Sequence, residues 1–322
     1  METCKFPRRV MRAAYELARE ALPDYASPFS RQDFTLPQLF ACLVVREHQK
    51  KSYRGTEALL SDCPEWLADC GMTKAPDHNT LCRAFHTIVT LKRVNKMLDV
   101  TAEWFTEAQV LRLSRKPLAV DSKHFESRHV SRHFEHRKKQ TAKAAEAAKI
   151  PEKKDKSGSA TRSDTVRNLP KATFAVAAGC HVLLAVIVGT GAGSDAPSFV
   201  ALLAAACRRA PGVRTVVGDA GFDSEQNHRV ARLSRNVRSI IPPRIGRPRK
   251  DGGLPTTKFR RLMAQRFRRK ADKATYGQRW QVETVNSMIK RNLGSALRAT
   301  TPARREHEML LRAVVHNLML AA

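Results

Sequence analysis

Two short apolar runs, each closing on an aspartate, constrain this chain more than any other feature. Pro117 to Val120 leads into Asp121, and Thr215 to Gly218 leads into Asp219. Their length and apolar character read as buried strands. A carboxylate at the exit of a buried strand is costly unless it meets solvent, a partner charge or a metal. Either aspartate alone is most simply a turn former. Two such strand ends in one sheet can converge on a hard cation, which prefers oxygen ligands. Ala172 to Ala178 and His181 to Val188 add two further apolar runs, with Gly179-Cys180 as a hairpin turn between them. Ser239 to Ile241 reads as a fifth strand, stopped by Pro242-Pro243. Pro197 to Arg209 and Gln226 to Arg235 read as helices, and strands interleaved with helices indicate an α/β sheet with helical cover.

Upstream the texture is helical. Residues 1 to about 115 carry apolar positions at helical spacing in Leu36 to Val45, Thr56 to Leu60 and Leu81 to Ile88. Asp77 is placed to cap a helix running from His78 to Ile88. Short helices joined by tight turns suit a DNA-binding domain, which the charge favours, and also a plain helical bundle. The expected organisation is therefore a helical N-terminal domain over 1–115 and an α/β domain over 116–322. Two segments interrupt the second: a Lys-, Ala-, Ser- and Thr-rich insertion at about 137–171, and a basic segment at about 244–273. The latter holds twelve Lys or Arg against Asp251 and Asp272.

Charge narrows the partner. Lys and Arg number 58 against 30 Asp and Glu, a formal +28. An excess of that size repels itself, and a polyanion is its natural counterweight. Nucleic acid leads, because phosphates are gripped chiefly by Lys and Arg. The seven cysteines are odd in number, scattered and without a CxxC pair, so a disulfide framework is not expected. Cys63, Cys70, Cys82 and His86 match no zinc spacing and read as buried thiols. Met1 to Arg12 mixes charges and lacks the apolar stretch of a signal peptide. The longest apolar run, Phe174 to Val188, is broken by Gly179 and His181 and is too short to span a bilayer.

A third acid completes the pattern. Thr275 to Leu293 reads as one helix, and on it Tyr276, Arg279, Glu283 and Lys290 fall at roughly 0°, 300°, 340° and 320° around the axis. All four share one stripe about 60° wide. Arg279 and Glu283 alone would be an ordinary i,i+4 ion pair on a solvated face. That account leaves Tyr276 and Lys290 on the same line unexplained.

The spacing Tyr276-x2-Arg279-x3-Glu283-x6-Lys290 resembles the Tyr–Arg–Glu–Lys signature of bacterial insertion-sequence transposases of the DDE class. Asp121 in Val-Asp-Ser and Asp219 in Gly-Asp-Ala-Gly-Phe-Asp-Ser resemble that family's first two acids, in the family's order. The acids stand 98 and 64 residues apart. Tyr53-Arg54-Gly55-Thr56-Glu57 and Pro76-Asp77-His78-Asn79-Thr80-Leu81-Cys82-Arg83 resemble the family further upstream, so the likeness runs from about Phe34 to His316. It implies a ribonuclease H-like mixed sheet flanked by helices, after an α-helical N-terminal domain that binds DNA ends. It implies Asp121, Asp219 and Glu283 as catalytic acids and metal ligands for two Mg2+ ions, with Mn2+ as a substitute. Tyr276, Arg279 and Lys290 would contact the DNA. Arg244, Arg247 and Arg249, within Arg244-Ile245-Gly246-Arg247-Pro248-Arg249-Lys250, resemble a degenerate minor-groove hook and equally fit a solvated basic loop. The implied partners are terminal inverted repeats and target DNA, handled by a homodimer without a membrane, in the cytoplasm at the nucleoid. Two other readings stay open: an inactive or domesticated relative that only binds DNA, and another ribonuclease H-like nuclease.

Overall fold

The computed structural model describes residues 2–29, 31–111, 116–127, 169–191, 193–244, 255–270 and 272–322. Six helices come first: α1 (Pro7–Ala21), α2 (Leu36–His48), α3 (Tyr53–Ser61), α4 (Pro64–Ala68), α5 (His78–Ile88) and α6 (Leu91–Glu107). Their starts are set by local chemistry. Thr35 and Gln38 form a reciprocal capping box at α2. Asp77 Oδ1 accepts from the N–H groups of Asn79 and Thr80 at 2.9 and 3.0 Å, starting α5 at His78 as its sequence indicates. The two upstream motifs meet in space. Glu57, on α3, accepts from His78 N–H at 3.0 Å and stands 2.8 Å from His78 Nδ1.

The second half is built on a five-stranded sheet. Its strands are β1 (Leu118–His124), β3 (Pro170–Ala177), β4 (Leu183–Thr190), β5 (Thr215–Gly218) and β6 (Arg238–Ile240), in the order β4-β3-β1-β5-β6. β1 runs antiparallel to β3 and β3 to β4, whereas β5 is parallel to both β1 and β6. β2 (Glu126–Ser127) forms a separate parallel pair with β7 (Ala296–Leu297). The later helices are α7 (Ala196–Arg209), α8 (Glu225–Arg229, continued by a π turn to Ser234), α9 (Lys258–Arg268), α10 (Lys273–Gly277), α11 (Trp280–Leu293) and α12 (Pro302–Ala321).

Period-2 alternation divides the sheet between two cores. Leu118, Val120, Ala175 and Val216 face Phe199, Leu202 and Leu203 of α7. Ala119, Phe174, Val176 and Val217 face Val282, Val285 and Ile289 of α11 and the apolar length of α12. The second core continues without a break into α1, α2, α5 and α6. A buried ionic cluster lies at that junction. Arg312 of α12 reaches Glu47 of α2 at 2.8 Å and Glu308 at 2.9 Å, and donates to the carbonyls of Gly294 and Ala296. Arg298 also pairs with Glu47. No helix among the described residues is long and apolar enough to cross a membrane.

The structure departs from the sequence reading in four places. β1 does not stop at Asp121. β5 ends beside Val120, but β3 keeps pairing, through Asp121↔Phe174 to His124↔Lys171, and carries the strand on to His124. The helix expected over Thr275 to Leu293 is two helices. Gln278 and Arg279 bond three residues back, to Thr275 and Tyr276, directly after Gly277, a weak helix former. Trp280, which directly follows Arg279 about 100° around the helix and from sequence reads as packing that helix onto the sheet, is 52% exposed because Val282, Val285 and Ile289 take that side. The insertion expected to end at 171 gives way to β3 already at Pro170; most of it lies outside the described residues.

Candidate active site

The site begins with strand register. Leu118, Ala119 and Val120 pair with Val216, Val217 and Gly218, so Asp121 and Asp219 are the next residues on two adjacent parallel strands. Gly218 lets those strands meet. A Cβ there would lie 2.8 Å from Val120 Cγ2 and 3.2 Å from the Phe222 ring. Beyond it, Asp219 opens a single 3-10 turn and accepts from Gly221 N–H at 2.8 Å. A Cβ on Gly221 would stand 2.9 Å from Asp219 Oδ1 and 3.3 Å from Asp195 Oδ2, so glycine is needed there as well.

Glu283, the third acid of the sequence reading, lies on α11. With its apolar side against the sheet, the helix holds its polar stripe over the acids. Asn286 Nδ2 donates to Asp121 Oδ2 at 3.2 Å, and Arg279 Nη1 lies 3.7 Å from Asp121 Oδ1. Arg279 also pairs with Glu283, whose side chain remains 52% exposed. Tyr276, on α10, packs edge-on against Phe267 at 5.3 Å between ring centres. Its position is fixed by Asp272, which is buried, paired with Arg238 and Arg266, and accepts from Tyr276 N–H through its carbonyl. Lys290 lies one turn beyond Asn286.

Electrostatics tie these groups together. Burial pushes the Asp121 carboxyl up to about 6; Arg279 opposes the rise, while Asp219 and Glu283 add to it. Burial likewise raises the Tyr276 phenol, with Arg279 opposing and Asp219 adding. Burial works against the charge on Arg279, but Glu283, Tyr276 and Asp121 outweigh it and hold the guanidinium above its ordinary range. Lys290 is lowered by burial and then by Lys123, with Glu126 opposing. Among the described residues, no three His, Cys, Asp or Glu side chains already stand close enough together to hold a metal. The donor set nonetheless fits a hard divalent cation. It is all oxygen, and Asp121 is short of water beside two like charges. The counter-charge in place is the Arg279 guanidinium.

Two further acids of the region, Asp195 and Asp223, are held by other partners, although Asp195 stands close to Asp219. Asp195 precedes α7 but makes no side-chain cap; it pairs with Lys171. Burial alone would raise Asp223, but His228, Arg260 and the Arg244 N–H bring it down to about 2, so it anchors the start of α9 and the Arg244 backbone. The Arg244 side chain is exposed beside that turn, and Arg247 and Arg249 lie outside the described residues. Two polar groups escaped the sequence reading, Asn286 at Asp121 and Lys123 near Lys290. Asn286 falls at roughly 280° on the wheel that carries the stripe, so the helical period could have found it. Lys123 follows Asp121 by two positions on the same strand face, and could be found only once β1 was known to continue.

Three antiparallel strands followed by two parallel ones, with helices on both faces, make this a ribonuclease H-like α/β protein. Residues 112–318, nearly two thirds of the chain, match the family described as Transposase DDE domain, and the chain belongs to that family. No curated protein shows a significant match to it.

Proposed function

We propose that the protein is a DNA transposase of an insertion sequence, cutting transposon ends and joining the freed 3′-hydroxyl to target DNA. The observation that carries this reading is the adjacency of Asp121 and Asp219 on parallel strands, with α11 holding Glu283 over the same edge. Family membership supports it. So does a net charge of +28, which suits a polyanionic substrate.

Asp121, Asp219 and Glu283 would hold two divalent ions, Mg2+ or in its place Mn2+. Bound there, the ions would activate the attacking oxygen and neutralise charge building on the leaving one. The protein's own groups do the rest. Asn286 orients the Asp121 carboxylate through its amide. Arg279, whose fork matches a phosphate, would exchange its acid partners for the DNA backbone when cations take over those acids. Tyr276, Lys290 and Arg244, with Arg247 and Arg249, would complete the DNA contacts. In the first step water displaces the 3′-oxygen from the phosphorus at the transposon end, leaving a 3′-hydroxyl and a 5′-phosphate. In the second, that hydroxyl attacks a target phosphodiester, one P–O bond forming as another breaks. Helices within 1–115 would grip the transposon end, and two copies would act together on two ends.

The test uses purified full-length protein, Mg2+ and a labelled duplex ending in the inverted repeat that flanks its gene. Joining of the labelled strand to a plasmid is the expected result. Cutting without joining would mark a nuclease, and binding without cutting would mark a DNA-binding relative. Glu283→Gln should abolish cleavage and leave duplex binding within about twofold. A variant that cuts at the wild-type rate would remove Glu283 from the metal site.

A further inference from the structure

Lys123 has no role in the reading above, yet the fold places it opposite Lys290. Two fixed points set the alignment of β1 with α11. At one, Asn286 donates to Asp121 at 3.2 Å. At the other, β2 pairs in parallel with β7, Glu126 opposite Ala296. The chain therefore runs in the same direction on both sides of this seam. From the first point, two strand residues advance roughly 6–7 Å to Lys123. Four helical residues advance about 6 Å to Lys290 and return to nearly the same helix face. Lys123 and Lys290 are thus carried forward together. After burial, the nearby Lys123 charge lowers the Lys290 ammonium. Glu126 draws on Lys290 without forming an ion pair, and neither lysine side chain has an ion-pair or hydrogen-bond partner among the described residues. Lys123 is exposed and Lys290 half-buried. Two like charges carried side by side are unfavourable until an anion lies between them.

We infer that Lys123 and Lys290 seat a backbone phosphate of one DNA strand, one step along that strand from the phosphate that lies at Asp121. The advance from Asp121 to Lys123 is comparable with the step between neighbouring phosphates on one strand. The seat gives the strand a direction, from the acids along the β1–α11 seam toward β2 and β7. This rests on the transposase reading, since it supplies the DNA.

The test measures binding of the full chain to a random-sequence duplex oligonucleotide in Ca2+ buffer over a range of salt concentrations. Wild type should lose affinity steeply with salt. Lys123→Gln should flatten the log–log slope by about 0.9, one phosphate contact, and Lys123→Arg should restore it. An unchanged slope in Lys123→Gln would overturn the seat while leaving DNA binding intact. Wild-type protein with no salt-dependent binding would overturn the transposase reading and the seat with it.

Discussion

Asp121 pays for its position in a way that can be measured. Its carboxyl moves from an ordinary 3.8 to about 6. Between those values the folded chain holds a proton that the unfolded chain has released. The stability that proton confers is present below about pH 4 and is lost as pH rises through about 6. In metal-free buffer at pH 7.5, Asp121→Asn should therefore melt higher than wild type, by at most about 3 kcal/mol. The gap should close below pH 4. A variant less stable than wild type at pH 7.5 would mean that the acid is not strained. Adding Mg2+ should raise the melting temperature of wild type more than that of the variant. Residue type and spacing single out Asp121, Asp219 and Glu283 with Tyr276, Arg279 and Lys290 in the sequence, and the structure sets the first two at neighbouring strand ends and links Asp121 to Glu283 through Arg279. Asn286 and Lys123 matter through a relation between a strand and a helix 165 residues apart in the case of Asn286. No local pattern records that relation.

Elements announced themselves where their signals are local. Asp77 marks the start of α5, and the apolar run Thr215–Gly218 coincides with β5. Signals failed where a neighbour decides the outcome. β1 is lengthened by β3, and the helix carrying the third acid is divided at Gly277 while Asp272 holds its first piece by two arginines. The same dependence governs α12, whose Arg312 is buried because Glu47 on α2 and Glu308 on α12 meet it. Glu47→Gln leaves Arg312 and Arg298 short of an opposing charge in the interior. The expected loss is about 3–5 kcal/mol, read as a lower midpoint in urea. An unchanged midpoint would show that Glu308 suffices.

At the scale of the molecule, the change of texture near residue 115 is easy to see in the sequence, but the core does not respect it. α12, from the far end of the chain, packs with α1, α2 and α6 as well as with the sheet. Composition and periodicity report how much apolar surface exists, not which distant segment covers it. A chain shortened to residues 112–322 should therefore uncover the apolar side of α12, bind a hydrophobic dye and melt without a cooperative transition. A sharp transition in that fragment would show that the sheet and its own helices suffice.

The shared core and the Glu47–Arg312 cluster leave no slack between the front helices and the edge that carries the acids. On the transposase reading proposed above, a duplex held by α1–α6 would meet the scissile point at one set offset, as a workpiece does in a jig. The place of the cut would then be measured by rigid protein rather than found by a swinging arm.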